Sequence, residues 1–260
     1  MNRKLVDELK VFEDLWKGGY FEGDPLNPIA KSGYKQLGFM SVLHATYLRC
    51  IRPYVNNHTI SLEIGPGRGA WTKALLPSKE IYVLDALPEE HNRFYEYLEY
   101  PKNVKYFQVK DFDCEILPDN YFNYMFSFGC LCHVSFEGIT EYAVNIYPKL
   151  KRSSNCFWMV ADYDKFNSTI SKLNSFSIYA ALMPRRRRYL PLQWLFVYLM
   201  KREKLQLLKA DENNEPVSGG RWYHAGIERT CAMLQEVGYR VVDSDVGTSL
   251  RDPIIHFIKA

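Results

Sequence analysis

The chain has 260 residues, of which 47% are apolar, 15% aromatic and 24% charged. That composition excludes disorder over most of the length, and the length favours one elaborated domain around a large core over two small ones. A net charge of +3 gives no reason to expect a nucleic-acid partner, and the six cysteines (Cys50, Cys114, Cys130, Cys132, Cys156, Cys231) form no C-x-x-C pair and no zinc-like spacing with histidine, so reduced, mostly buried thiols and no metal are expected.

In chain order, Leu5, Leu9, Phe12, Leu15 and Trp16 recur at helical spacing until Gly18-Gly19. Charges interrupt the apolar positions of this opening stretch, which therefore lacks a signal-peptide core, and a cytoplasmic location is expected. The run YFEGDPLNPIAKSGY reads as loop, and LGFMSVLHATYLRCIRPYV returns to helical periodicity up to Pro53. Residues 1–58 are thus expected to form a helical cap. From Thr59 the pattern changes. TISLEIG, EIYVLD, VKYFQVKD, NYFNYMFSFG and NCFWMVADYD read as five strands, the second ending at Asp85, the third near Asp111 and the fifth near Asp162. Helical segments, LPEEHNRFYEYLEY and FEGITEYAVNIYPKL among them, separate the strands over 59–162. This alternation predicts an α/β fold with a parallel sheet covered on both faces. Residues 163–222 break the pattern as an insertion, after which IERTCAMLQEVG predicts a helix and YRVVDSDVG and PIIHFIKA an antiparallel pair within 223–260.

Such a sheet gathers ligands at the carboxyl ends of its strands, so Gly65 to Gly69, Asp85, Asp111 and the Cys132-His133 region are expected to share one crevice. The loop reads G-x-G-x-G. It lacks the G-x-G-x-x-G spacing of a dinucleotide fold and the Lys-Ser/Thr pair of a P-loop. Glu63-x-Gly65-x-Gly67-x-Gly69, the acid closing the next strand at Asp85, and the series from Lys110 to Val134 resemble the motifs of class I S-adenosylmethionine-dependent methyltransferases, which are Rossmann-like. The resemblance covers Ser61 to about Asp162, and Ile227 to Lys259 in outline. It implies a seven-stranded, mostly parallel sheet with an antiparallel last strand, and S-adenosyl-L-methionine as cofactor. By position in that family, Gly65, Gly67 and Gly69 touch the cofactor by backbone and Glu63 lies near its methionine amino group. Asp85, with Ala86 beside it, takes the ribose hydroxyls, and Asp111 the adenine amino group, with Phe112 as a ring contact and Asp113 as an alternative. Trp16, Tyr20 and Phe21 are candidates for a lid.

Methyl transfer from a sulfonium needs positioning above all, and a hydroxyl acceptor benefits from a base near neutrality. His133 at the fourth strand's end, His224 in GGRWYHAG and Asp162 after the fifth strand are the candidates, each open to a purely structural role. Asp162-Tyr163-Asp164 stands where an N-P-P-Y-type motif of amino-group methylation would, which favours oxygen as the acceptor atom. Between Arg185 and Lys209, eight basic residues (Arg185 to Arg188, Lys201, Arg202, Lys204, Lys209) face one acid, Glu203. Around the apolar run YLPLQWLFVYLM, about twelve residues where a spanning helix needs roughly 20, this cluster suits an anionic membrane surface, a phosphorylated, saccharide-like or lipid-linked acceptor, or a solvated helix face. The expected activity is O-methylation of a small or saccharide-like acceptor. An N- or head-group methyltransferase, a non-catalytic nucleotide-binding module and a nicotinamide oxidoreductase stay open.

Overall fold

Strand β1, Ile60–Ile64, has every side chain buried, as a central strand covered on both faces must. The computed structural model describes residues 21, 23–29, 36–37, 40–169, 171 and 222–260. Within them β1 is joined by β2 (Glu80–Asp85), β3 (Val104–Gln108), β4 (Phe122–Ser127), β5 (Leu150–Met159), β6 (Tyr239–Asp243) and β7 (Ile254–Lys259). The sheet order is β3-β2-β1-β4-β5-β7-β6. Pairings among the first five strands are parallel, and β7 runs antiparallel to both its neighbours. The expected mostly parallel seven-stranded sheet is therefore the observed one.

Alternation of side chains along each strand builds two cores. Leu62, Leu84, Met125 and Trp158 point to one face with α5 (Phe136–Ile146) and α6 (Ile227–Val237). Val83, Phe126 and Phe157 point to the other with α1 (Val42–Thr46), α2 (Ala70–Leu75) and α4 (Phe94–Leu98). Ser135 caps α5 by accepting the Gly138 N–H. The chain runs from β1 to β2 on one side and crosses from β3 to β4 on the other, so the order reverses at β1 and leaves a crevice at the carboxyl ends of β1 and β4.

Three elements differ from the sequence pattern. The segment read as one helix after β2 is two, α3 (Glu89–Asn92) and α4, separated by Arg93 at φ +52°. The break lets Asn92 reach the Tyr106 hydroxyl while Phe94 packs edge-on against the ring of the same tyrosine, 4.8 Å between centroids. Strand β5 starts at Leu150, five residues ahead of Asn155; its pairing with β4 jumps from Phe122↔Leu150 to Tyr124↔Asn155, with Ser153 at φ +63° in the bulge. Regular pairing resumes where the sequence pattern begins. Helix α1 covers only part of its expected run, follows two-residue strands Gln36–Leu37 and Met40–Ser41, and continues as a π-helical turn, Tyr47–Ile51. All six cysteines are free, and Cys50, Cys114, Cys132 and Cys156 are buried.

Candidate functional site

The turn after β1 is shaped by what its glycines touch. A Cβ on Gly65 would lie 2.2 Å from Cys130 Sγ and 2.3 Å from Cys130 Cβ, so the loop following β4 closes directly onto this backbone. Gly67, at φ +54°, turns its N–H onto Asp85 Oδ2 at 3.2 Å. Asp85 Oδ1 accepts from the Leu87 N–H at 2.9 Å. One carboxylate thus joins the ends of β1 and β2. Beyond it, Tyr106 donates its hydroxyl to the Leu87 carbonyl at 2.7 Å and accepts from Asn92 Nδ2 at 2.9 Å, which fixes the turn on which Asp85 sits.

These residues wall a cleft that opens to solvent, lined by Gly65, Gly67, Asp85, Ala86, Gly129, Cys130, His133 and Tyr142 with apolar Ile64, Leu84, Leu87 and Val134. Burial pushes the Asp85 carboxyl up to about 6, against hydrogen bonds from Leu87, Gly67 and Asn92 that favour its charged form. The Gly67 and Leu87 N–H groups take one Asp85 oxygen each, and the two carboxylate oxygens offer about four acceptor sites in all. Burial also raises the Cys130 thiol above its ordinary range. His133 ends the 3₁₀ turn Leu131–His133, its N–H held by the Cys130 carbonyl at 2.9 Å.

Solved structures share this fold. A candidate S-adenosylmethionine-dependent methyltransferase from Listeria monocytogenes superposes with a TM-score of 0.51 over 84% of this chain and 98% of its own, at 15% identity. The chain has the class I methyltransferase fold. Mitomycin 7-O-methyltransferase superposes with the same score, 0.51, over 84% of this chain and 54% of its own, at 13% identity. The Bacillus subtilis YcgJ protein is aligned over 50% of this chain and 59% of its own, at 17% identity and a TM-score of 0.41, too low to weigh. No family model and no curated protein matches the sequence.

On this methyltransferase fold the structure brings together Gly65, Gly67, Asp85, Ala86 and His133 as cleft residues. Gly69 stands behind the turn against Phe94 and Leu98. Glu63 is 2% exposed and accepts the Thr72 hydroxyl of α2 at 2.6 Å, on the core side of the glycine turn. Burial raises its carboxyl to about 8, against the Thr72 hydrogen bond that favours the charged form. Phe112 is a core residue, 3% exposed, packed edge-on to Tyr142. Asp111 forms a local turn, accepting the Asp113 N–H at 3.3 Å, and neither acid lines the cleft. Phe21 packs against Tyr97 and under Arg68, on a segment clasped to α2 by Asp24–Lys73 at 3.0 Å. Trp16, Tyr20 and the basic cluster from Arg185 to Lys209 lie outside the described residues.

Two catalytic candidates are corrected. Asp162 is 5% exposed, and its oxygens accept the backbone N–H of Lys165 at 2.8 Å and of Ile227 at 2.7 Å, which caps the helical residues 163–169 and α6 together. His224 Nδ1 accepts the Tyr163 N–H at 3.0 Å. That bond leaves the ring hydrogen of the neutral form on Nε2, so neither nitrogen can take a proton from a substrate. Both residues clip the insertion where it leaves and rejoins the sheet. Asn92, Cys130 and Tyr142 are cleft residues that pattern reading does not single out. The one local signal is Cys130, beside Gly129 at the end of β4 and opposite the glycine turn.

Proposed function

We propose that the chain is an S-adenosylmethionine-dependent methyltransferase acting on an oxygen of a small or saccharide-like acceptor. The observation that carries this reading is Asp85: a half-buried carboxylate with two acceptor oxygens at the end of β2, tied to the glycine turn through Gly67 and lining the cleft. A vicinal diol needs two such acceptors side by side. The backbone at Gly65 and Gly67 presents no side chain to the ligand, and Leu84, Ala86, Leu87 and Val134 offer apolar walls for a base. The residues present therefore fit the cofactor.

When bound, S-adenosylmethionine supplies a methyl on a positively charged sulfur that leaves as a thioether. The chain's part is to hold and to exclude. Asp85 fixes the sugar, the glycine turn admits the remainder, and Cys130 closes over Gly65 from the facing loop. His133 lines the same cleft and is the side chain proposed to take the acceptor's hydroxyl proton. The basic residues from Arg185 to Lys209 are proposed to hold a phosphorylated or lipid-linked acceptor through bidentate arginine contacts.

With methyl-labelled S-adenosylmethionine, the wild type is expected to label hydroxyl acceptors. His133→Ala should lower turnover by about 100-fold, the low end for a lost general base, with cofactor affinity unchanged. Full turnover in that variant removes His133 as the base, and label found only on amines removes the oxygen assignment.

A further inference from the structure

Among the described residues five tyrosines are buried to 8% exposure or less: Tyr82, Tyr124, Tyr142, Tyr163 and Tyr239. Four have partners for their hydroxyls. Tyr124 donates to the Cys50 carbonyl at 2.8 Å, Tyr239 to the Ala143 carbonyl at 2.9 Å and Tyr163 to the Trp222 carbonyl, while Tyr82 accepts from Lys105 Nζ at 2.8 Å. The Tyr142 hydroxyl has none among the described residues, although only 3% of the residue is exposed. Buried hydroxyls are ordinarily paired, so a lone exception needs a reason.

The exception faces space. Trp158 Nε1 is the only fully enclosed side-chain nitrogen or oxygen without a partner among the described residues. The Tyr142 hydroxyl is therefore reached by solvent, and the space beside it is the cleft that Tyr142 lines. Its ring stands edge-on to Phe112, 4.7 Å between centroids, which places it toward the loop after β3. The same cleft holds the Asp85 carboxylate and the apolar walls of Ala86, Leu87 and Val134. A hydroxyl both donates and accepts, so at the end of an apolar slot it can pair with a ring nitrogen or an exocyclic amine of a heteroaromatic base.

We propose that the Tyr142 hydroxyl reads the base of the nucleoside whose ribose Asp85 holds, in the place the sequence resemblance gives to Asp111. This rests on the reading of the cleft as the S-adenosylmethionine site. Asp111 remains engaged in its own turn outside the cleft. The phenol serves as a specificity-determining group contributed by α5, which a helix face of otherwise apolar residues conceals.

Tyr142→Phe keeps the ring against Phe112 and removes only the oxygen. Calorimetric titration with S-adenosylhomocysteine should show Kd raised about tenfold, equal to 1.4 kcal/mol, while the unliganded melting temperature stays at or above that of the wild type. Analogues lacking single base groups, S-inosylhomocysteine and the 1-, 3- and 7-deaza forms, complete a double-mutant cycle. One of them should cost the wild type affinity and cost Tyr142→Phe nothing further, which names the atom read. Equal affinity of both proteins for S-adenosylhomocysteine overturns the inference and leaves the proposed function standing. A uniform loss against every analogue, with a lower unliganded melting temperature, also overturns it by assigning a packing role. A wild type that binds no S-adenosylhomocysteine overturns both readings.

Discussion

Asp85 and Asp162 are acids at the same edge of one sheet, the first closing β2 and the second following β5, yet they do different work. Both accept two backbone N–H bonds. Asp85 accepts them from turns beside a cleft and keeps its remaining lone pairs for whatever enters. Asp162 accepts them from the first turns of two helices and is sealed at 5% exposure. A strand-end acid becomes a ligand group or a clip according to what the chain brings back to it. For Asp162 that return is Ile227, 65 residues later.

The comparison is open to attack from either side, and Asp85 carries the largest expected effect. Asp85→Asn should weaken S-adenosylhomocysteine by about 100-fold, the loss of two hydrogen bonds to a charged group at about 1.5 kcal/mol each. Urea unfolding free energy should change by only about 1 kcal/mol, because one of the two N–H groups loses its acceptor while a buried charge is removed with it. Asp162→Ala should do the reverse. Loss of two caps at about 1 kcal/mol each should lower unfolding free energy by roughly 2 kcal/mol while ligand affinity holds. A loss of affinity in Asp162→Ala with full stability would merge the two acids into one site.

The pH dependence sharpens the same contrast. Asp85 titrates about 6 because burial raises it. Its contribution to stability is complete below the ordinary carboxylate range and is lost as pH rises through about 6. Ligand affinity runs the other way, because donated hydroxyls need the ionised form. Kd for S-adenosylhomocysteine should be flat above about pH 7 and rise toward tenfold per unit below 6, with Asp85→Asn flat throughout. A flat wild-type profile from pH 8 to 5 contradicts the diol assignment.

The smallest effect concerns Glu63. Its carboxyl, raised to about 8 by burial, contributes stability that is lost as pH rises through that value. Glu63→Gln should therefore hold its melting temperature between pH 7 and 9 while that of the wild type falls. Parallel profiles would mean that Glu63 is ionised throughout and accessible to a cation.

Much of this was legible before the fold was seen. The apolar run into Gly65, the acid at Asp85 and the return of strand pattern after Gly238 are local signals, set by periodicity and turn chemistry, and the first two lie on one cleft. The misses share one cause. Arg93 breaks a good helical pattern where Asn92 and Phe94 both engage Tyr106, a residue of the next strand. The β5 bulge depends on a partner strand. Asp162 and His224 look available until Ile227 and Tyr163 claim them. Tyr142 reads as helix core, which its ring is; only the tally of hydroxyl partners separates it from Tyr239.

The central claim is that the crevice between β1, β2 and β4 holds S-adenosylmethionine. Calorimetric titration of the wild-type chain at pH 8, first with S-adenosylmethionine and then with NAD, tests it most directly. The account predicts saturable binding of S-adenosylmethionine at micromolar concentration and no heat from NAD. Silence from S-adenosylmethionine at millimolar concentration, or tighter binding of NAD, would contradict it.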